Sequence, residues 1–180
     1  SFMADLTIYL RKLTAERVSN HPDWKHLAVI LSDASVPGEG EHKLFEFVRN
    51  NNHEDDNTVI YGMDSDLIML SLNHKKYTNS IYLYRETPHF ISSLDSTLDP
   101  AKEYFIDINN LADQIYYLLT DKTFDTTKQS AEAYYNKISD YILICFLLGN
   151  DFNEHFPAIN LRNNGITILL DLYREIFGVS

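Results

Sequence analysis

The chain has 180 residues, 44% hydrophobic and 23% charged, with only 6 glycines and 5 prolines, a globular composition that excludes disorder and low complexity. Twenty-six acidic against 15 basic residues give a net charge of −11, which repels nucleic acid at long range. The single cysteine, Cys145, excludes an intrachain disulfide, and no apolar run reaches membrane-spanning length. The start is too polar for a secretory signal, so the expected location is intracellular, cytoplasmic before nuclear.

Phe2, Met3, Leu6, Leu10, Leu13 and Val18 recur at helical spacing and predict a helix over 2–18. "LAVILS", 27–32, is a short continuous apolar run of the buried-strand type, and "DASVPG" follows as a loop. Residues 39–50 read as a helix with Leu44, Phe45 and Val48 inward. "HEDD", 53–56, reads as a solvated loop, and "TVIYGM", 58–63, as a second buried strand. A helix starts near Asp64, and "SIYLYR", 80–85, is a third strand. Residues 87–103 form a long loop before the short strand "YFIDI" and the helix "NLADQIYYLLT". The most apolar helix covers 130–148, and "GITILLDLYREIF" is another. Cys145 lies among apolar neighbours with no basic group beside it and takes no chemical role. Alternating helices and strands predict one α/β folding unit over 1–180, with a mostly parallel sheet flanked by helices and short of strands.

Ligands in an open parallel sheet collect beyond the carboxyl ends of its strands. The strand at 27–32 leads to Glu39 and Glu41, the strand at 58–63 to Asp64 and Asp66, and the helix ending at Leu148 to Asp151. Each cluster has an ordinary explanation. Acids favour a helix N-terminus, "DSD" serves as an N-cap, and Asp151 suits a turn. Three clusters at three element ends argue for more than that. Crowded carboxylates repel one another unless a cation neutralises them, and hard divalent ions take oxygen ligands. The chemistry these residues suggest is metal-assisted phosphodiester hydrolysis. Cys–His spacing of the zinc type is missing from the sequence.

"VPGEGEHKLFEFVRN", "VIYGMDSDLIMLSL" and "YILICFLLGNDFNEHFP", in this order, resemble the catalytic region of the Xrn-type 5′→3′ exoribonucleases. "FMADL" and "LYRE" fit the same pattern, so the resemblance spans essentially the whole chain. It implies a flap-nuclease or PIN-like, Rossmann-like architecture, with these residues forming the C-terminal part of the catalytic region. It also implies that Glu39, Glu41, Asp64, Asp66 and Asp151 are catalytic metal ligands of a two-metal Mg²⁺ or Mn²⁺ site. By similarity to flap nucleases, Glu41, Asp64, Asp66 and Asp151 surround one ion and Glu39 leans toward the other. The implied substrate is single-stranded RNA with a 5′-monophosphate, degraded to mononucleotides, with no membrane partner.

Family members carry further acidic ligands, and basic residues that grip the 5′-phosphate, ahead of the point where this chain starts. The resemblance therefore implies that an N-terminal segment or partner chain completes the site, and that these 180 residues alone are weak or inactive. Asn153-Glu154 stand where the family usually has Leu-Pro. His42 and Lys43 match the family's "EHK" and read equally as outer support for the metal or as exposed helix positions. Arg85 reads as a structural ion pair before a phosphate ligand. A structure-specific flap endonuclease, or a non-catalytic interaction module that keeps the nuclease fold, stays compatible with the same residues.

Overall fold

The first helix, α1 (Phe2–Asn20), opens with the Ser1 hydroxyl accepting the Ala4 amide at 3.4 Å. It closes where His21, ahead of Pro22, turns extended. The computed structural model describes residues 1–85, 93, 95–99, 101–127, 129–151, 153–157, 159 and 161–177. The chain divides into two units, Ser1–Phe47 and Val48–Ser180.

In the first unit α1 runs two residues past the predicted 2–18, and none of its residues is buried. The strand expected at 27–32 is not formed: these residues are in no strand, and Leu27, Val29, Ile30 and Leu31 are exposed. An apolar run gives a strand only if another strand supplies its ladder bonds, and the run itself does not encode that partner. Helix α2 (Gly40–Asn50) starts here and runs across the unit boundary. Phe45 and Val48 are buried as the spacing predicts, whereas Leu44 is exposed. One residue is a step of about 100° around a helix, which carries Leu44 off the stripe centred on Phe45.

The second unit holds the sheet. Strands β1 (His53–Tyr61) and β2 (Thr78–Tyr84) pair in parallel, with Tyr61 beside Tyr84. The short β3 (Phe105–Asp107) pairs antiparallel to β2, with Phe105 opposite Tyr84. One of the two pairings is thus parallel, and helix α3 (Asp66–His74) supplies the crossover that a parallel pair requires. "HEDD" is not a loop: His53–Asp56 are the first residues of β1. Among the described residues β1 is an edge strand, where Glu54, Asp55 and Asp56 keep their side chains in water. Of the loop expected at 87–103, residues 87–92, 94 and 100 lie outside the described residues.

Helices α4 (Ile108–Thr120), α5 (Ala131–Phe146) and α6 (Gly165–Phe177) complete the unit. Two side chains set where α4 and α5 begin: Asp107 accepts the Asn110 amide at 3.0 Å and Ser130 the Ala133 amide at 3.1 Å. Ile81 and Leu83 are fully buried on one face of β2, the strand that α3 and α4 contact. Leu72, Ile108, Ala112 and Leu119 are buried in those helices, and full burial of a large aliphatic side chain contributes about 1.5–3 kcal/mol. The result is an α/β fold with a small sheet flanked by helices.

Candidate metal centre and active site

The approach to Glu39 begins at Asp33, whose side chain is only 4% exposed. Arg11 on α1 donates to Asp33 Oδ2 from Nε at 2.9 Å and from Nη2 at 2.5 Å. Asp33 Oδ1 accepts the Ser35 amide at 2.9 Å and the Ser35 hydroxyl at 2.6 Å. The Ser35 hydroxyl and amide, and then Arg11, hold the Asp33 carboxyl down at about 2, so it is ionised at neutral pH. From α2, Lys43 Nζ donates to the carbonyls of Asp33 at 3.2 Å and Val36 at 3.0 Å. The loop is pinned from both flanking helices. Gly38 then takes φ +100°, a left-handed conformation that a side chain strains.

This loop, and not a strand end, delivers Glu39 and Glu41. Among the described residues, Glu39, Glu41 and His42 are a group whose ligand atoms all lie within 4.8 Å of one another. Glu39 and His42 are exposed and Glu41 is half-buried, with His42 Nε2 lying 3.5 Å from Glu39 Oε2. Two carboxylates this close repel, and a cation between them removes the cost. Their hard oxygens suit a divalent ion of the Mg²⁺ or Mn²⁺ type, and the imidazole adds a donor that Mn²⁺ accepts readily. The donor set fits a metal ion.

In the second unit Asp64 and Asp66 stand just past the carboxyl end of β1. Asp64 is exposed, and its Oδ1 accepts the Asp66 amide at 3.1 Å, at the start of α3. Asp66 is half-buried in the first turn of that helix. Arg85, directly after β2, is buried and donates from Nη2 to the Met63 carbonyl.

Asp151 is exposed in the turn after α5. Gly149 there has φ +93°, and a Cβ on it would lie 2.9 Å from the His155 amide nitrogen, so only glycine fits. The loop closes through the Asn150 amide to the Asn153 carbonyl at 2.9 Å and the Asn153 amide to Asn150 Oδ1 at 2.8 Å. Asn153, one of the two departures from the family pattern, is thus a structural part of the turn. Within this unit the described residues hold no group of three metal-ligating side chains as close as the Glu39 cluster, so Asp64, Asp66 and Asp151 do not form one by themselves.

The sequence does not announce the supports of these acids: nothing in it pairs Arg11 with Asp33, although Asp-x-Ser (Asp33, Ser35) is a common turn-forming pattern. Lys43 reaches backbone carbonyls, which residue type alone does not announce. Burial raises the Cys145 thiol above its usual range despite its bond with Tyr141, which keeps it protonated.

A small sheet flanked by helices is consistent with a PIN-like nuclease fold. Residues 1–87 match the XRN 5′-3′ exonuclease N-terminus and residues 133–180 match the Xrn1 helical domain. The chain belongs to the Xrn family. Among its relatives is a 5′-3′ exoribonuclease 2 of Arabidopsis thaliana, 33% identical over 98% of this chain and 20% of the relative. The 5′-3′ exoribonuclease 2 of Candida glabrata is 34% identical and that of Saccharomyces cerevisiae 33%, each over 97% of this chain and 19% of the relative. The chain therefore spans about a fifth of the length of these relatives. No helix among the described residues is long and apolar enough to cross a membrane.

Proposed function

We propose that these residues form part of the catalytic region of a 5′→3′ exoribonuclease that releases mononucleotides from 5′-monophosphorylated single-stranded RNA. The observation that carries this reading is the Glu39–Glu41–His42 donor cluster, which lies inside the stretch matched to the XRN exonuclease N-terminus. Glu39, Glu41, Asp64, Asp66 and Asp151 would hold Mg²⁺ or Mn²⁺ in a two-metal site. Bound ions of this kind lower the pKa of water and stabilise charge on the leaving 3′-oxygen.

The chain's own residues keep the ligands in place. Arg11 and Lys43 hold the loop ahead of Glu39, and the Asp64–Asp66 turn sits on the end of β1. The net charge of −11 supplies metal ligands but no broad attraction for RNA. A basic surface that receives the 5′-phosphate, on an N-terminal segment or a partner chain, belongs to the same proposal.

Calorimetric titration with Mn²⁺ tests the metal site: heat from the wild-type chain is expected to fall in Asp64→Ala/Asp66→Ala and to vanish when Glu39→Gln/Glu41→Gln is added. Equal heats in wild type and the fourfold variant would favour the non-catalytic module. In a protein containing these residues, 5′-monophosphorylated RNA is trimmed one nucleotide at a time, and Glu41→Gln abolishes the trimming. Internal cleavage of branched DNA would assign the flap endonuclease instead.

A further inference from the structure

We infer that Arg85 is a positioning residue for the Asp64 and Asp66 carboxylates: its guanidinium fixes the backbone from which both side chains depart. The inference rests on the reading of these two aspartates as metal ligands. The β1–β2 ladder ends at Tyr61 beside Tyr84, with one further bond from the Gly62 amide to the Tyr84 carbonyl at 3.2 Å. Met63 lies beyond the last paired residue of β1, and among the described residues its carbonyl has no partner in the β2 ladder. Arg85, the first residue after β2 and only 9% exposed, supplies the donor from its side chain.

The rest of the turn is closed as well. Asp64 accepts the Asp66 amide at 3.1 Å, and the buried Leu67 lies where a Cβ on Gly62 would come within 2.4 Å of its Cδ1. Arg85 is thus the side chain that grips the turn immediately before Asp64. Outer supports of this kind set ligand orientation, and their loss typically costs metal affinity about 10–100-fold.

Arg85 has two effects on a bound cation, and they differ in sign. As a positive charge near Asp64 and Asp66 it weakens the binding of a divalent ion. As the clamp on Met63 it strengthens binding by holding the carboxylates in one arrangement. Removing the charge therefore reveals which effect dominates, whereas a role limited to stability leaves the metal affinity of the folded chain unchanged.

The test is Mn²⁺ binding, read from the free-ion EPR signal, in wild type, Arg85→Met, Arg85→Gln and Asp64→Asn/Asp66→Asn. Circular dichroism establishes the folded fraction of each. The expected result is binding weakened about tenfold in both Arg85 variants and further in the double aspartate variant, which keeps the Glu39–Glu41–His42 cluster. If Arg85→Met does not fold, the milder Arg85→Gln decides by the same sign. Unchanged or tighter binding in the folded Arg85 variants, with binding weakened in the aspartate variant, overturns the role of Arg85 and leaves the metal site standing. Wild-type binding no tighter than that of the aspartate variant overturns the metal site and this inference together.

Discussion

Asp33 and Gly149 illustrate how single residues hold the acidic loops. The Asp33 carboxyl is held at about 2 against an ordinary 3.8, so the folded chain takes up its proton later than the unfolded chain does. The resulting stability is complete above 3.8 and is lost as pH falls toward about 2. Urea midpoints measured from about pH 4 down to about pH 2 should therefore drop more steeply in wild type than in Asp33→Asn. Parallel curves would remove Asp33 as an acid-sensitive anchor. At Gly149 the cost is backbone conformation plus a contact of 2.9 Å with the His155 nitrogen. Gly149→Ala should destabilise the chain by at least about 1–2 kcal/mol in urea unfolding. An unchanged midpoint is incompatible with this loop geometry.

Polar side-chain contacts join helices to one another. His74, on α3, is 2% exposed between Arg49 on α2 and the carbonyl of Leu70. Arginine can only donate, so Nε2 accepts from Arg49 at 2.7 Å and Nδ1 carries the proton given to Leu70 at 2.6 Å. Burial lowers the His74 pKa below 6.5; the Leu70 bond opposes this, and Arg49 and Lys76 add to the lowering. The unfolded chain then binds a proton that the folded chain refuses, so stability falls as pH drops through 6.5. His74→Asn keeps a donor for Leu70 and should flatten that loss, as read by urea midpoints on either side of pH 6.5. On α6, the Tyr173 hydroxyl donates to Asp140 and accepts from Lys137, both on α5, and Lys137 also donates to the Phe177 carbonyl. Tyr173→Phe should cost about 1 kcal/mol, because Asp140 loses its donor and Lys137 keeps only part of its set. A cost near zero would mean that apolar packing alone joins α5 and α6.

For the 180 residues as a whole, the proposed RNA substrate would meet a net charge of −11. Phosphates approach a surface that repels them until divalent ions neutralise part of it. A 5′-phosphorylated oligoribonucleotide should bind at least about tenfold more weakly in EDTA than in Mn²⁺, as measured by fluorescence anisotropy. Equal affinity in the two buffers would separate RNA binding from the metal site.

The sequence by itself determined most of the helices and strands and the position of Asp64 and Asp66 after a strand. Those features follow from local periodicity and from short-range contacts such as the Asp64–Asp66 bond, which spans two residues. Only the tertiary structure decided that 27–32 is unpaired, that "HEDD" opens an edge strand, and what holds the acidic loops. Arg11 reaches Asp33, and Arg85 reaches Met63, each across 22 residues. No periodicity records such a meeting, because a long side chain finds its partner only after the backbone has folded around it.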